Sequence, residues 1–199
     1  MLLRFYEPDQ GSITIGSKPL QLYSLNQLRR NISYVQQDVF LFSDTVANNI
    51  RFGVSEHTTI ERVIEAAKSA SIHEEILGFE NGYETLIGER GVTLSGGQKQ
   101  RISIARALLK EHSMILFDDC LSAVDMETEE IILKNLYQAS QNKTTIIVSH
   151  RVSSVKHADY ILVLEEGKIL EQGSHNELVN LQGTYANLLE KQLQEKEMK

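Results

Sequence analysis

The run Leu94-Ser95-Gly96-Gly97-Gln98-Lys99-Gln100-Arg101 sets a two-glycine turn at the head of an amphipathic helix, with Ser95 where an N-cap belongs. A helix that begins in this way leaves backbone N–H groups unpaired and aimed out of its first turn. Its aligned peptide dipoles add partial positive charge there, which suits an anion such as phosphate. The candidate anion-binding residues are Ser95, Gly96, Gly97 and Gln98; the glycines carry no side chain to hold a phosphate off the backbone. Roughly twenty residues on, the apolar stretch Met114-Ile115-Leu116-Phe117 ends in two carboxylates, Asp118 and Asp119. An anion site followed by a metal-type site points to nucleotide chemistry.

The elements that must position these residues alternate between strands and helices. Ile32 to Val35 reads as a strand with Gln36-Gln37-Asp38 at its C-terminal end, where ligands of open parallel sheets gather. Val39-Phe40-Leu41-Phe42 is an apolar loop without a clean period, either core or a contact surface for another chain. Helices are predicted over 45–52, 59–69 and 72–77, the second with Ile60, Val63, Ile64 and Ala67 on one face. A polar loop over 82–91 leads to the helix at 95–109. The strand at 113–117 is apolar throughout, as inside a parallel sheet. A helix at 128–139 and a buried strand at 144–149 follow, the latter ending at His150. Residues 160–170 predict a hairpin turning at Glu165-Glu166-Gly167, and Ser174 to Glu177 a capping box. A last helix spans 184–197. Met1 to Tyr6 reads as the end of a helix already under way, so the chain is expected to start inside a domain. The pattern predicts an α/β fold with a mainly parallel sheet.

Composition narrows the function classes. The 199 residues carry a net charge of −7, and no basic block exceeds two or three residues, which argues against a nucleic-acid surface. One cysteine, Cys120, excludes an internal disulfide and fits a reducing setting. No apolar run approaches the ~18–20 residues of a membrane span. Any membrane role must come through a partner or another part of the protein.

The five residues Leu94 to Gln98, followed by the carboxylate strand, resemble the LSGGQ signature of the ATP-binding cassette (ABC) family. Further stretches match in the expected order, covering nearly the whole chain. The resemblance implies a P-loop NTPase-like sheet with an inserted helical subdomain, here at about 45–110, N-terminally truncated within one nucleotide-binding domain. It implies ATP and Mg2+ as cofactors. Gln37 matches the Q-loop glutamine, which reaches magnesium and the attacking water. Asp118 matches the Walker B aspartate, a magnesium ligand acting through water. Asp125, in Ser122-Ala123-Val124-Asp125, matches the D-loop at a dimer interface. His150 matches the H-loop histidine on the γ-phosphate.

Thr85 to Gly91 resembles the loop that precedes the signature in ABC exporters, with Leu86 where many have glutamate. Asp119 departs from the family's glutamate, the general base or water-orienting group. Its carboxylate falls roughly an ångström short, and ~1 Å can cost on the order of 100-fold in rate. ATP binding with slow or no hydrolysis is therefore expected. The Walker A pattern G-x-x-x-x-G-K-[ST] does not occur in the 199 residues. The isolated chain is expected to bind ATP weakly and to be poorly stable.

The expected function is the ATP-binding and ATP-hydrolysing part of an ABC exporter at the cytoplasmic face of the membrane. Its expected partners are a second nucleotide-binding domain, identical or different, and the coupling helices of a transmembrane domain, reached through residues 38–42. No nucleic acid is expected. The alternative is a non-hydrolysing regulatory protein that completes a partner's ATP site.

Overall fold

The computed structural model describes residues 1–55, 57–88, 91–139 and 143–197. Two compact units divide the chain, Met1–Ile146 and Ile147–Lys199.

The first unit opens with a short antiparallel ribbon, β1 (Thr14–Ile15) and β2 (Lys18–Pro19). Helix α1 (Leu25–Asn31) starts at Ser24, whose Oγ accepts from the N–H of Gln27, and runs directly into β3 (Ile32–Val35). Then come β4 (Asp44–Thr45), α2 (Val46–Arg51), α3 (Ile60–Ser69), α4 (His73–Leu77), β5 (Leu86–Ile87) and α5 (Gly96–Leu109). Strand β6 (Met114–Asp118), α6 (Met126–Ala139) and β7 (Thr144–Val148) complete the series, and the boundary between units falls within β7.

Strand β3 pairs with β6 in parallel, Ile32 opposite Met114 and Val35 opposite Phe117. With β7 they form a three-stranded sheet in the order β3-β6-β7. Met114, Leu116 and Asp118 on one face of the central strand are half-buried, while its other face is fully covered, with Ile115 and Phe117 essentially inaccessible. Burying each such side chain contributes about 1.5–3 kcal/mol. Helix α5 packs against α2, α3 and β3, with Ile50, Val63, Ala67, Ile102 and Ala105 in the shared core. Of the expected face of α3, Val63 and Ala67 are fully buried, and Ile60 and Ile64 half so.

Two expectations change. Residues 1–6 form a turn, Arg4 N–H to the Met1 carbonyl, with Arg4 in the left-handed region. That one bond closes a single turn, which fixes several dihedrals for one hydrogen bond. The polar loop at 82–91 contains β5, which pairs antiparallel with β4. Two-residue strands have too little alternation to be read in advance.

In the second unit, α7 (Val152–Val155) precedes the hairpin β8 (Ile161–Glu165) and β9 (Lys168–Gly173). Glu166 and Gly167 both have positive φ, which matches a type I′ turn. Helix α8 (His175–Leu181) carries the expected capping box, Ser174 with Glu177. Helix α9 (Thr184–Glu197) starts on the Glu171 carboxylate, which accepts from the N–H groups of Thr184 and Tyr185. Val152, Ile161, Leu178 and Tyr185 form the core.

Candidate functional site

The acidic residues stand at the C-terminal end of β6. Tyr34 lies opposite Leu116, so the tyrosine, Leu116 and Asp118 share one face of the sheet. The Tyr34 hydroxyl donates to Asp118 Oδ2 at 2.8 Å. Burial, then this bond and the nearby Asp118 charge, push the Tyr34 hydroxyl up to about 12. Tyr34 was unmarked by the sequence reading; the pairing register that brings it to Asp118 is a tertiary property. Oδ1 of Asp118 makes no hydrogen bond with the described residues. Among those residues no group of three or more His, Cys, Asp or Glu side chains converges as a metal cage. One partly accessible carboxylate fits a magnesium ion that keeps several waters. Gln37 is exposed just past the end of β3, the neighbouring parallel strand.

Asp119 follows in the left-handed region, at φ 45°. The turn after it is tied inward. Ser122 Oγ donates to the Asp119 carbonyl at 3.0 Å, and Gln100 of α5 meets both Ser122 and Ala123. Cys120, which follows Asp119, is buried, and burial pushes its thiol up to about 12. Asp125 caps α6, its Oδ1 accepting from the Thr128 N–H at 3.0 Å. That backbone bond holds its carboxyl below the usual range.

The glycine turn forms the start of α5. Ser95 and Gln98 make a full capping box: Ser95 Oγ accepts from the Gln98 N–H, and Gln98 Oε1 accepts from the Ser95 N–H at 2.9 Å. Gln98 Nε2 donates to Glu75 Oε2 of α4 at 2.9 Å. Both ends of the Gln98 amide are thus engaged within the chain. Arg101, one turn on, bonds Glu75, the Ser71 carbonyl and the Gly97 carbonyl. Burial alone would raise the Glu75 carboxyl, but the Arg101 and Gln98 bonds hold it below its ordinary range.

Gly97 has a second reason to be glycine. A Cβ there would lie 2.8 Å from the Ala123 carbonyl oxygen, whereas one at Gly96 would make only a 3.4 Å contact with the Ala123 methyl. Gly97→Ala is expected to cost about 1–3 kcal/mol through the forced shift, and Gly96→Ala less than about 0.5 kcal/mol. Urea unfolding midpoints of the two variants check this; equal midpoints would show that the Ala123 contact does not decide.

The loop at 39–42 is half-buried except Phe40, which is exposed. Phe40 and Phe42 meet edge to face, and Phe42 leans on Phe52 with ring centres 4.3 Å apart. Arg106 of α5 ties the loop down. It donates to the carbonyls of Asn49 and Phe40 and to Asn49 Oδ1. A cavity of about 280 Å³ opens beside the loop, lined by Val39, Phe40, Leu41, Val92 and Leu94. Leu86 is exposed. Glu89 and Arg90 lie outside the described residues.

Thus the first unit brings the glycine turn into direct contact with the 119–125 turn. Gln37 and Asp118 stand at the same end of the sheet. His150 belongs to the second unit, where it is exposed and its carbonyl accepts from Gln192 Nε2 at 2.8 Å.

Residues 1–122 match the sequence family described as ABC transporter. An uncharacterized ABC transporter ATP-binding protein of Bacillus subtilis, YknU, is 49% identical over 198 residues, covering 100% of this chain and 34% of that protein. An ATP-dependent lipid A-core flippase of Legionella pneumophila is 49% identical over 188 residues, covering 94% of this chain and 32% of its own length. The solved structure of a bacterial Atm1-family ABC exporter with ATP bound superposes with a TM-score of 0.90 at 41% identity, over 96% of this chain and 34% of that one. The chain spans about a third of the length of these relatives.

Proposed function

This chain is a member of the ABC transporter family, and we propose that it serves as part of the nucleotide-binding domain of an ABC exporter, in which ATP binding and hydrolysis drive transport. The observation that carries the reading is the direct packing of the Ser95–Gly97 turn against the turn that follows Asp118 and Asp119. Phosphate-type and metal-type chemistry are thereby built into one compact unit. The 41% identity to an ATP-bound exporter supports the same reading.

In this proposal Asp118 and Gln37 face the magnesium and its waters, and Tyr34 holds the Asp118 carboxylate in one orientation. Magnesium, when bound, neutralises phosphate charge. Asp119 orients the attacking water or takes its proton, and His150 contacts the γ-phosphate. Ser95, Gly96 and Gly97 present their N–H groups to ATP held by a second nucleotide-binding domain, identical or different. Gln98 fixes the geometry of that helix end, and Asp125 fixes the turn at the interface. The loop at 38–42 and the cavity beside it receive the coupling helices of a transmembrane domain. Among the described residues no helix is long and apolar enough to cross a membrane. The proposed location is the cytoplasmic face, held there by the transmembrane part. Most of the helical cluster from α2 to α5 corresponds to the helical subdomain of a single domain spanning the chain.

The test is Mg-ATP hydrolysis by the full-length exporter subunit reconstituted with its partner. Asp118→Asn is expected to lower the rate on the order of 100-fold or more while the protein still folds. Unchanged turnover in that variant would sink the assignment. A second reading, a non-hydrolysing subunit that completes a partner's site, is favoured by the aspartate at 119.

A further inference from the structure

Gln100 is buried in the second turn of α5, with 6% of its surface accessible. Both ends of its amide are spent on the turn that follows Asp119. Oε1 accepts from the Ala123 N–H at 3.0 Å, and Nε2 donates to Ser122 Oγ at 3.3 Å. The Ala123 N–H can only donate, which fixes the amide oxygen on its side and the NH2 group on the side of Ser122. Ser122 Oγ in turn donates to the Asp119 carbonyl at 3.0 Å. One turn nearer the helix start, Gly97 abuts the Ala123 carbonyl. Asp119 itself sits at φ 45°, a conformation that a non-glycine residue keeps only where its surroundings over-determine it. The chain Gln100–Ser122–Asp119 supplies that constraint.

We propose that Gln100 is a positioning residue that makes the glycine turn and the acidic turn one mechanical body. Through Ser122 it sets the backbone that aims the Asp119 carboxylate. This rests on the function proposed above, where Ser95–Gly97 serve the partner's ATP and Asp119 serves the chain's own. Closure of the helix end on one nucleotide then moves the acid at the other. The two sites of a dimer are coupled inside each chain, with Gln100 as the tie.

Three variants of the full-length subunit, reconstituted with its partner, separate this role from simple stability. Gln100→Ala removes both bonds. Gln100→Glu keeps an acceptor for the Ala123 N–H but has no N–H for Ser122. The Ser122 hydroxyl then donates to the new carboxylate and releases the Asp119 carbonyl. Ser122→Ala removes the bridge, at an exposed position. All three are expected to lower kcat by about ten-fold, the scale of a sub-ångström misplacement. KM for ATP stays within about two-fold, and the Hill coefficient for ATP falls toward about 1. Melting temperatures should instead diverge, with Gln100→Ala lowest and Ser122→Ala near the parent. Equilibrium ATP binding gives the same comparison of Hill coefficients without turnover. Rates and Hill coefficients that follow melting temperature, with Gln100→Glu and Ser122→Ala like the parent, would overturn the proposal and leave the function intact. A parent protein that neither binds nor hydrolyses ATP would overturn the function and this inference together.

Discussion

Replacing Arg106 with alanine is expected to destabilise the first compact unit by about 3 kcal/mol. The guanidinium makes three hydrogen bonds, at 2.7 Å to the Asn49 carbonyl, 3.1 Å to the Phe40 carbonyl and 3.1 Å to Asn49 Oδ1. It also stands 5.5 Å from the centre of the Phe52 ring and 5.8 Å from that of Phe42. Burial pushes its pKa down to about 10, so at neutral pH the site carries a desolvation cost that these contacts offset. Alanine removes the contacts and leaves the part-buried Asn49 carbonyl short of a donor. Asn49 keeps part of its network, since its side chain also bonds Phe42 at both backbone groups. Lysine cannot reproduce a planar fork with several donors. Arg106→Lys is therefore expected to recover less than half of the loss. Urea unfolding of the three proteins, followed by helix signal, measures it. A loss below about 1 kcal/mol for the alanine variant would mean that the fork is solvent-compensated.

The second large effect concerns Asp119. Asp119→Glu in the full-length subunit with its partner is expected to raise single-turnover ATP hydrolysis by about 10- to 100-fold, by restoring the missing methylene of reach. The structure adds a cost. Aspartate tolerates the left-handed region better than glutamate does, because its short side chain bonds local backbone there. The same substitution should therefore lower stability by about 0.5–1 kcal/mol. A faster but less stable enzyme is the expected pair of results. No gain in rate would count against aspartate as the brake, and a gain with no loss of stability would count against backbone strain at 119. The rate measurement also separates the hydrolysing exporter from the non-hydrolysing alternative.

The parts of this fold legible in the sequence are those set by local chemistry. The strand at Met114–Asp118 announced itself by an apolar run ending in acids, and the capping residues Ser95 and Ser174 stand at helix starts. Glu166-Gly167 gave the hairpin turn for the same reason. The Ser95–Gly97 turn was legible as the capped start of a helix. The intrachain duties of Gln98 and Gly97 were not, because they depend on Glu75 and Ala123, distant in sequence. Tyr34, Gln100 and Arg106 escaped notice on the same ground. Each acts through a partner more than twenty positions away, and no periodicity encodes that. Residues 1–6 take a single turn with Arg4 in the left-handed region, where the missing N-cap had suggested a helix end.

The parallel pairing of β3 with β6 has a consequence for the order in which the chain assembles. Its partners, Ile32 with Met114 through Val35 with Phe117, lie about 80 residues apart, and α2 to α5 are threaded between them. Joining the ends of a flexible loop of that length carries an entropy that grows with the logarithm of its length. The contacts among α2, α3 and α5 close shorter loops and shrink the span before the strands meet. On this ground the helices are expected to fold early and the sheet late. The acid-bearing end of β6, paired beside Tyr34, is then expected among the last features to become native.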